Sequence, residues 1–192
     1  MRSSLVLIAS LIAVTAASAA WGDDGVNAVS NPGLIRPFVG AYIPTGKQSD
    51  VLKSSVLTGL QLGYQLPSPL QIVGSVGWTP SEAKDFSNVR TNILQYDVGA
   101  EVGPRAVSED VWKFGPFAGL GLGARTYKFH DISGSDQTDF AGYGSLGGEA
   151  MKDRFGARVE LRDYLSKFKD IDGSGTSTRN DMMLTGALTF HL

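Results

Sequence analysis

The 192-residue chain has no cysteine. That excludes disulfide staples and a lipidated N-terminal cysteine, so an exported form must draw its stability from its own hydrogen bonding. Nowhere does it hold the roughly 18 consecutive apolar residues that a membrane-spanning helix needs. If the mature protein sits in a membrane, it does so as strands. The net charge of -2 and a pI near 5.6 give no reason to expect a nucleic-acid partner. Only two histidines are present, His130 and His191, which narrows the room for imidazole chemistry.

What the chain does have starts with its first residues. Arg2, an apolar stretch from Leu5 to Val14 and the run Ala16-Ala17-Ser18-Ala19-Ala20 follow the basic, apolar, small-residue order of a secretory signal peptide. Residues 1–20 are therefore expected to be removed on export. Residues 21–33, with Gly22, Asp23, Asp24, Asn27, Asn31 and Pro32, show no period and are expected to form a poorly ordered lead-in. The fold is expected to occupy residues 34–192, a length that suits one domain.

Within that span about eight segments alternate at period two. Val56, Leu60, Leu62 and Tyr64 alternate with Gly59, Gln61, Gly63 and Gln65; Leu94, Tyr96, Val98 and Ala100 with Gln95, Asp97, Gly99 and Glu101. Trp112, Phe114, Ala118, Leu120 and Leu122 alternate with Lys113, Gly115, Gly119, Gly121 and Gly123; Phe155, Ala157, Val159 and Leu161 with Arg154, Arg158, Glu160 and Arg162. The first segment, near 35–43, and the sixth, near 138–150, are blurred by Arg36, Pro37 and small residues. One face is apolar and the other charged, polar or empty. In a bilayer every backbone N–H and C=O needs a partner inside the protein, so such strands can span only as a closed barrel. The expected fold is all-β: an eight-stranded antiparallel up-and-down transmembrane β-barrel preceded by a signal peptide.

The connections at Pro67-Ser68-Pro69, Pro104 to Asp110 and Met151-Lys152 alternate with longer ones at 44–53, 79–89, 130–137 and 167–179. Outer-membrane barrels have short periplasmic turns and longer external loops, which places both termini in the periplasm. Tyr64, Trp112, Phe114, Phe155 and Phe190 are then expected at the periplasmic rim, with Trp78 and Phe140 at the external one. Together they would form two aromatic girdles at the lipid interfaces. Asp163 lies on the lipid-facing parity and fits only near the membrane surface.

The run Phe114-Gly115-Pro116-Phe117-Ala118-Gly119-Leu120-Gly121-Leu122-Gly123-Ala124, the strand Arg158-Val159-Glu160-Leu161-Arg162-Asp163-Tyr164 and the end Thr189-Phe190-His191-Leu192 resemble the small eight-stranded outer-membrane β-barrels, the OmpA-like and OmpX-like proteins of Gram-negative envelopes. The resemblance covers nearly all of the mature chain. It implies a location in the bacterial outer membrane, contact with outer-membrane lipid and insertion by the outer-membrane assembly machinery. The family's terminal assembly signal usually ends in phenylalanine, and this chain ends in Leu192.

An eight-stranded barrel is just wide enough to be filled by side chains. By parity the inward charges are Asp97, Glu101, Glu149 and Glu160 against Lys113, Arg125, Arg154, Arg158 and Arg162. Such a set is expected to form a salt-bridged plug, because enclosed charges are costly unless paired. The alternative is a small-conductance, porin-like path through exchange of those pairs. A third reading, from a different class, is a soluble periplasmic lipocalin-like barrel with an apolar interior.

Two further chemistries are weighed. His130 with Asp131 and Ser133 has the residue types of a hydrolytic triad, but it falls in an external loop, and no enzyme activity is expected. Asp170, Asp172, Ser174 and Asp181 carry oxygen ligands at EF-hand spacing, although the last position holds Asp rather than Glu and strands flank the loop. Neither metal nor cofactor is expected. The chain is read as a monomeric barrel serving envelope integrity or surface contact, with any ligand specificity in its external loops.

Overall fold

Period-two alternation puts successive side chains on opposite faces of a strand, and a sheet with one oily and one charged face can hide its charges from lipid only by curling shut. The computed structural model does this. It describes residues 32–45, 49, 53–66, 69–82, 90–103, 112–129, 137–169 and 176–192. The strands are β1 (Gly33–Thr45), β2 (Ser55–Gln65), β3 (Leu70–Glu82), β4 (Arg90–Val102), β5 (Lys113–Phe129), β6 (Gln137–Lys152), β7 (Phe155–Lys169) and β8 (Thr176–His191). Each pairs antiparallel with the next, and β8 closes on β1.

The register fixes the shape. Followed perpendicular to the strands, Ile35 leads through Leu62, Gly74, Val98, Leu122, Gly142, Leu165 and Asn180 back to Thr45, ten residues further along β1. That stagger on eight strands corresponds to a tilt of roughly 40°.

Apolar residues line the outside. Val39, Leu62, Val98, Leu122, Val159 and Leu188 are all exposed, as an oily belt on a protein surrounded by lipid must be. Val98 stands roughly midway between the two aromatic bands. Val98→Arg is therefore expected to cost about 2–4 kcal/mol, read as a lower urea midpoint for unfolding from phospholipid vesicles.

Three details differ from the sequence reading. The strands run further than the period shows, so 79–82, 167–169 and 176–179 are strand rather than loop. With β5 and β6 lengthened as well, the contrast between short and long connections narrows, and the β4–β5 link at 103–112 is as long as those on the opposite end. The hairpin between β6 and β7 turns at Asp153-Arg154, not Met151-Lys152; Asp153 takes a φ of 54°, which Asp tolerates better than most residues. Arg154 is consequently exposed in the turn and does not belong to the interior charge set.

Candidate functional site: the ion-paired barrel interior

β7 provides the spine of the interior. Arg158, Glu160 and Arg162 alternate with Ala157, Val159 and Leu161, so the three charged side chains point inward one above another. Arg158 donates from Nη2 to Glu101 on β4 at 2.8 Å and to Glu160 at 3.2 Å, and its Nη1 lies 3.7 Å from Glu149 on β6. Arg162 donates from Nε to Glu160 at 2.8 Å and from Nη1 to Asp97 at 3.1 Å. The Tyr164 hydroxyl also donates to Asp97, at 2.6 Å, and Ser75 donates to the same oxygen at 3.1 Å.

Arg36 completes the set, and sequence reasoning missed it. It is 2% exposed and reaches across the lumen from β1. Its Nη1 donates to Gln61 at 2.9 Å and Gln71 at 2.8 Å, its Nε to Thr189 at 3.1 Å, and its Nη2 to Glu149 at 3.1 Å. Glu101 lies 3.7 Å away. The signal was parity: Val39, Ala41 and Ile43 face outward, which turns Leu34, Arg36, Phe38 and Tyr42 inward. Pro37 and the small residues around it hid that count.

Three of the interior arginines also cover a ring. Arg158 sits 3.3 Å from the Phe117 centroid, Arg162 4.6 Å from Tyr143 and Arg125 3.9 Å from Tyr164. Guanidinium stacking of this kind adds attraction where water is excluded. β5 supplies mostly absence: a side chain at Gly119 would meet Glu101, one at Gly121 the ring of Tyr143, and one at Gly123 the carboxylate of Asp97. The glycine face of β5 thus makes the space that the network fills.

The interior is layered. Toward the terminal-bearing end, where β1 begins and β8 stops, lie Arg36, Glu101, Glu149 and Arg158; toward the other end Tyr42, Leu57, Ile93, Tyr127, Ala141, Tyr143, Tyr164 and Met183 form the buried apolar cluster. Arg125 and Asp181 form a buried ion pair within that cluster. Two cavities of about 20 and 10 Å³ flank Arg36, each with room for about one water. Lys113 is half-buried as the first residue of β5, at the terminal-bearing end.

Outside, the named aromatics all face away from the barrel, and Phe114 and Phe140 are 76% and 81% exposed. Tyr64, Trp112, Phe114, Phe155 and Phe190 sit near strand ends at the terminal-bearing side, where Trp112 stacks on Phe114 and Phe155 meets Phe190 edge-on. Trp78 and Phe140 stand toward the opposite rim. Allowing for the stagger, the two bands are roughly 22 Å apart along the axis, at about 2.4 Å of rise per tilted residue.

Comparison with known proteins agrees with the closed barrel. Residues 4–187 match the family described as outer membrane protein beta-barrel domain. The chain belongs to that family. Three solved structures show the same fold in this outer-membrane barrel. Neisserial surface protein A is 12% identical, with a TM-score of 0.63 over 83% of this chain and 97% of that one. OprG from Pseudomonas aeruginosa is 14% identical, with a TM-score of 0.55 over 88% and 100%. The N-terminal barrel of Pseudomonas aeruginosa OprF is 15% identical, with a TM-score of 0.50 over 84% and 98%. No curated protein sequence matches the chain.

For this outer-membrane barrel one alternative falls away. A lipocalin-like carrier needs an apolar lumen and a polar exterior, and here the faces are reversed. The calcium set loses its last ligand, because β8 carries Asp181 into the barrel against Arg125. Among the described residues no cluster of three or more acidic or histidine side chains could hold a metal. Asp170, Asp172, Ser174, His130, Asp131, Ser133 and the signal segment 1–20 lie outside the described residues.

Proposed function

We propose that this outer-membrane barrel serves envelope integrity or surface contact, as a monomer whose lumen is plugged by its own ion pairs. The observation that carries the reading is the unbroken chain Arg36, Glu149, Arg158, Glu101, Glu160, Arg162 and Asp97, which spans the interior from β1 to β4 and β7. Buried charges held this closely leave little mobile water to carry ions. The tight connections at 66–69 and 153–154, together with the start of β1 and the end of β8, support a periplasmic end, which leaves the links 46–54, 83–89, 130–136 and 170–175 outside to contact any surface ligand. In this reading the β8 end, Phe190 to Leu192, is what the assembly machinery engages.

The test is current through planar bilayers. Wild-type protein is expected to pass none, and neither Arg158→Ala nor Glu160→Ala should alter an opening that is not there. A second reading, a small-conductance pore, is favoured by Arg158, which lies within 4 Å of three carboxylates, Glu101, Glu149 and Glu160, and could exchange among them. Wild-type openings whose size or frequency changes in either variant would establish it.

A further inference from the structure

Among the described residues, the charge left open at the terminal-bearing rim gathers at one corner. Lys152 ends β6 at outward parity, half-buried, and pairs across to Phe155 on β7. Arg154 is exposed in the hairpin that follows, and its carbonyl accepts from the His191 amide at 2.9 Å, which ties the turn to the end of β8. Lys113 opens β5 one strand over, opposite Met151. Asp153 is the only exposed acid described at this corner, so three cations face one anion. Further along the outward face of β6, Ala150 lies between Phe114 on β5 and Ala157 on β7. An atom added at the next outward position, Gly148, would meet nothing closer than 4.0 Å, while the rings of Phe114 and Phe155 are 76% and 61% exposed. The oily wall is therefore dented beneath the cations and raised beside them.

An apolar dent that ends in cations at the height of the aromatic band fits a molecule with an oily tail and a negative head. A lysine at the end of a membrane strand lays its stem on apolar surface and lifts its ammonium to the headgroups. A guanidinium takes phosphate oxygens two at a time. We propose that Lys152 and Arg154 hold the phosphate of an anionic glycerophospholipid, one acyl chain of which lies in the dent over Ala150, Ala157 and Gly148. A zwitterionic headgroup brings a cation of its own to the same corner and gains less. Only the choice of leaflet rests on the terminal-bearing end being periplasmic; the binding does not.

The test uses full-length protein in phosphatidylcholine nanodiscs containing a minor fraction of phosphatidylglycerol, with retained lipid counted by native mass spectrometry. Lys152→Gln and Arg154→Gln are each expected to retain roughly fivefold less phosphatidylglycerol than wild type, the ratio that about 1 kcal/mol per basic side chain near a membrane surface gives, and the double variant roughly 25-fold less. Gly148→Leu, which fills the dent and leaves the charge alone, should also lower retention. Lys128→Gln, which removes an exposed cation at the opposite rim, should not. Heat-modifiable migration on unboiled gels shows that each variant is folded. A folded double variant that keeps the wild-type preference would overturn the proposal. So would an equal loss in Lys128→Gln, since net charge rather than this corner would then select the lipid. Both rims of a nanodisc meet the same lipid, so a negative result counts against the corner and leaves the periplasmic reading untouched.

Discussion

Arg36→Ala is expected to destabilise the barrel by about 3–5 kcal/mol, the range for removing one partner of a buried ion pair. The urea midpoint in phospholipid vesicles should fall, reported by the emission of the outward-facing Trp78 and Trp112. Four acceptors lose their donor at once: Thr189, Gln61, Gln71 and Glu149. Glu149 keeps only Thr189 and the longer contact to Arg158, so an enclosed carboxylate is left short of positive charge. The loss should therefore come mainly from stranding Glu149 and Glu101 rather than from missing packing. Arg36→Met, which nearly restores volume, should recover little, whereas adding Glu149→Gln to Arg36→Met should recover much of the loss. A barrel in which Arg36→Met alone restores full stability would show that bulk, not charge, is what this position contributes.

How far the sequence could be read depended on local clarity of period. Where a strand alternates cleanly, as Phe155 to Arg162 does, counting by two places every side chain on its observed face, and the closed eight-stranded topology follows from eight such strands with no edge tolerated in lipid. Arg36 escaped because Pro37 and Gly40 interrupt the first segment, although the parity of Val39, Ala41 and Ile43 was enough to place it. Asp181 escaped for a different reason. Its spacing from Asp170 looks like a ligand loop, and only the knowledge that β8 begins at Thr176 turns it inward toward Arg125. The four inward tyrosines, Tyr42, Tyr127, Tyr143 and Tyr164, were legible by parity too, but an aromatic in a membrane strand is first suspected of facing lipid. Arg154 erred in the opposite direction. Continuing the alternation of β7 one step back runs into the hairpin, because parity carries no information about where a strand ends. No sequence pattern announced the pairing partners themselves, since these depend on the ten-residue stagger that only closure of the barrel determines.

Gly121→Val should be the most damaging substitution on β5, larger than the usual 1–3 kcal/mol for overpacking a core. The position is walled on two sides: a Cβ there would stand 2.5 Å from Tyr143 Cζ and 2.5 Å from the backbone oxygen of Val98. The ring can in principle move, but the carbonyl belongs to the β4 ladder and cannot. Tyr143 has no free space to retreat into either, because its hydroxyl lies over Gly99 and Arg162 covers its ring. Displacing it would also disturb the guanidinium that holds Glu160 and Asp97. The variant is expected to lose heat-modifiable migration on unboiled gels, the signature of an intact barrel. Tyr143→Ala alone opens a cavity and should cost about 3–5 kcal/mol. Combined with Gly121→Val it should cost less than the sum of the two, since the valine then has somewhere to go. A double-mutant cycle that returned strict additivity would mean that Tyr143 does not occupy the Gly121 slot. The remaining penalty in the double variant would then measure the clash with the Val98 carbonyl, which no side-chain change can relieve.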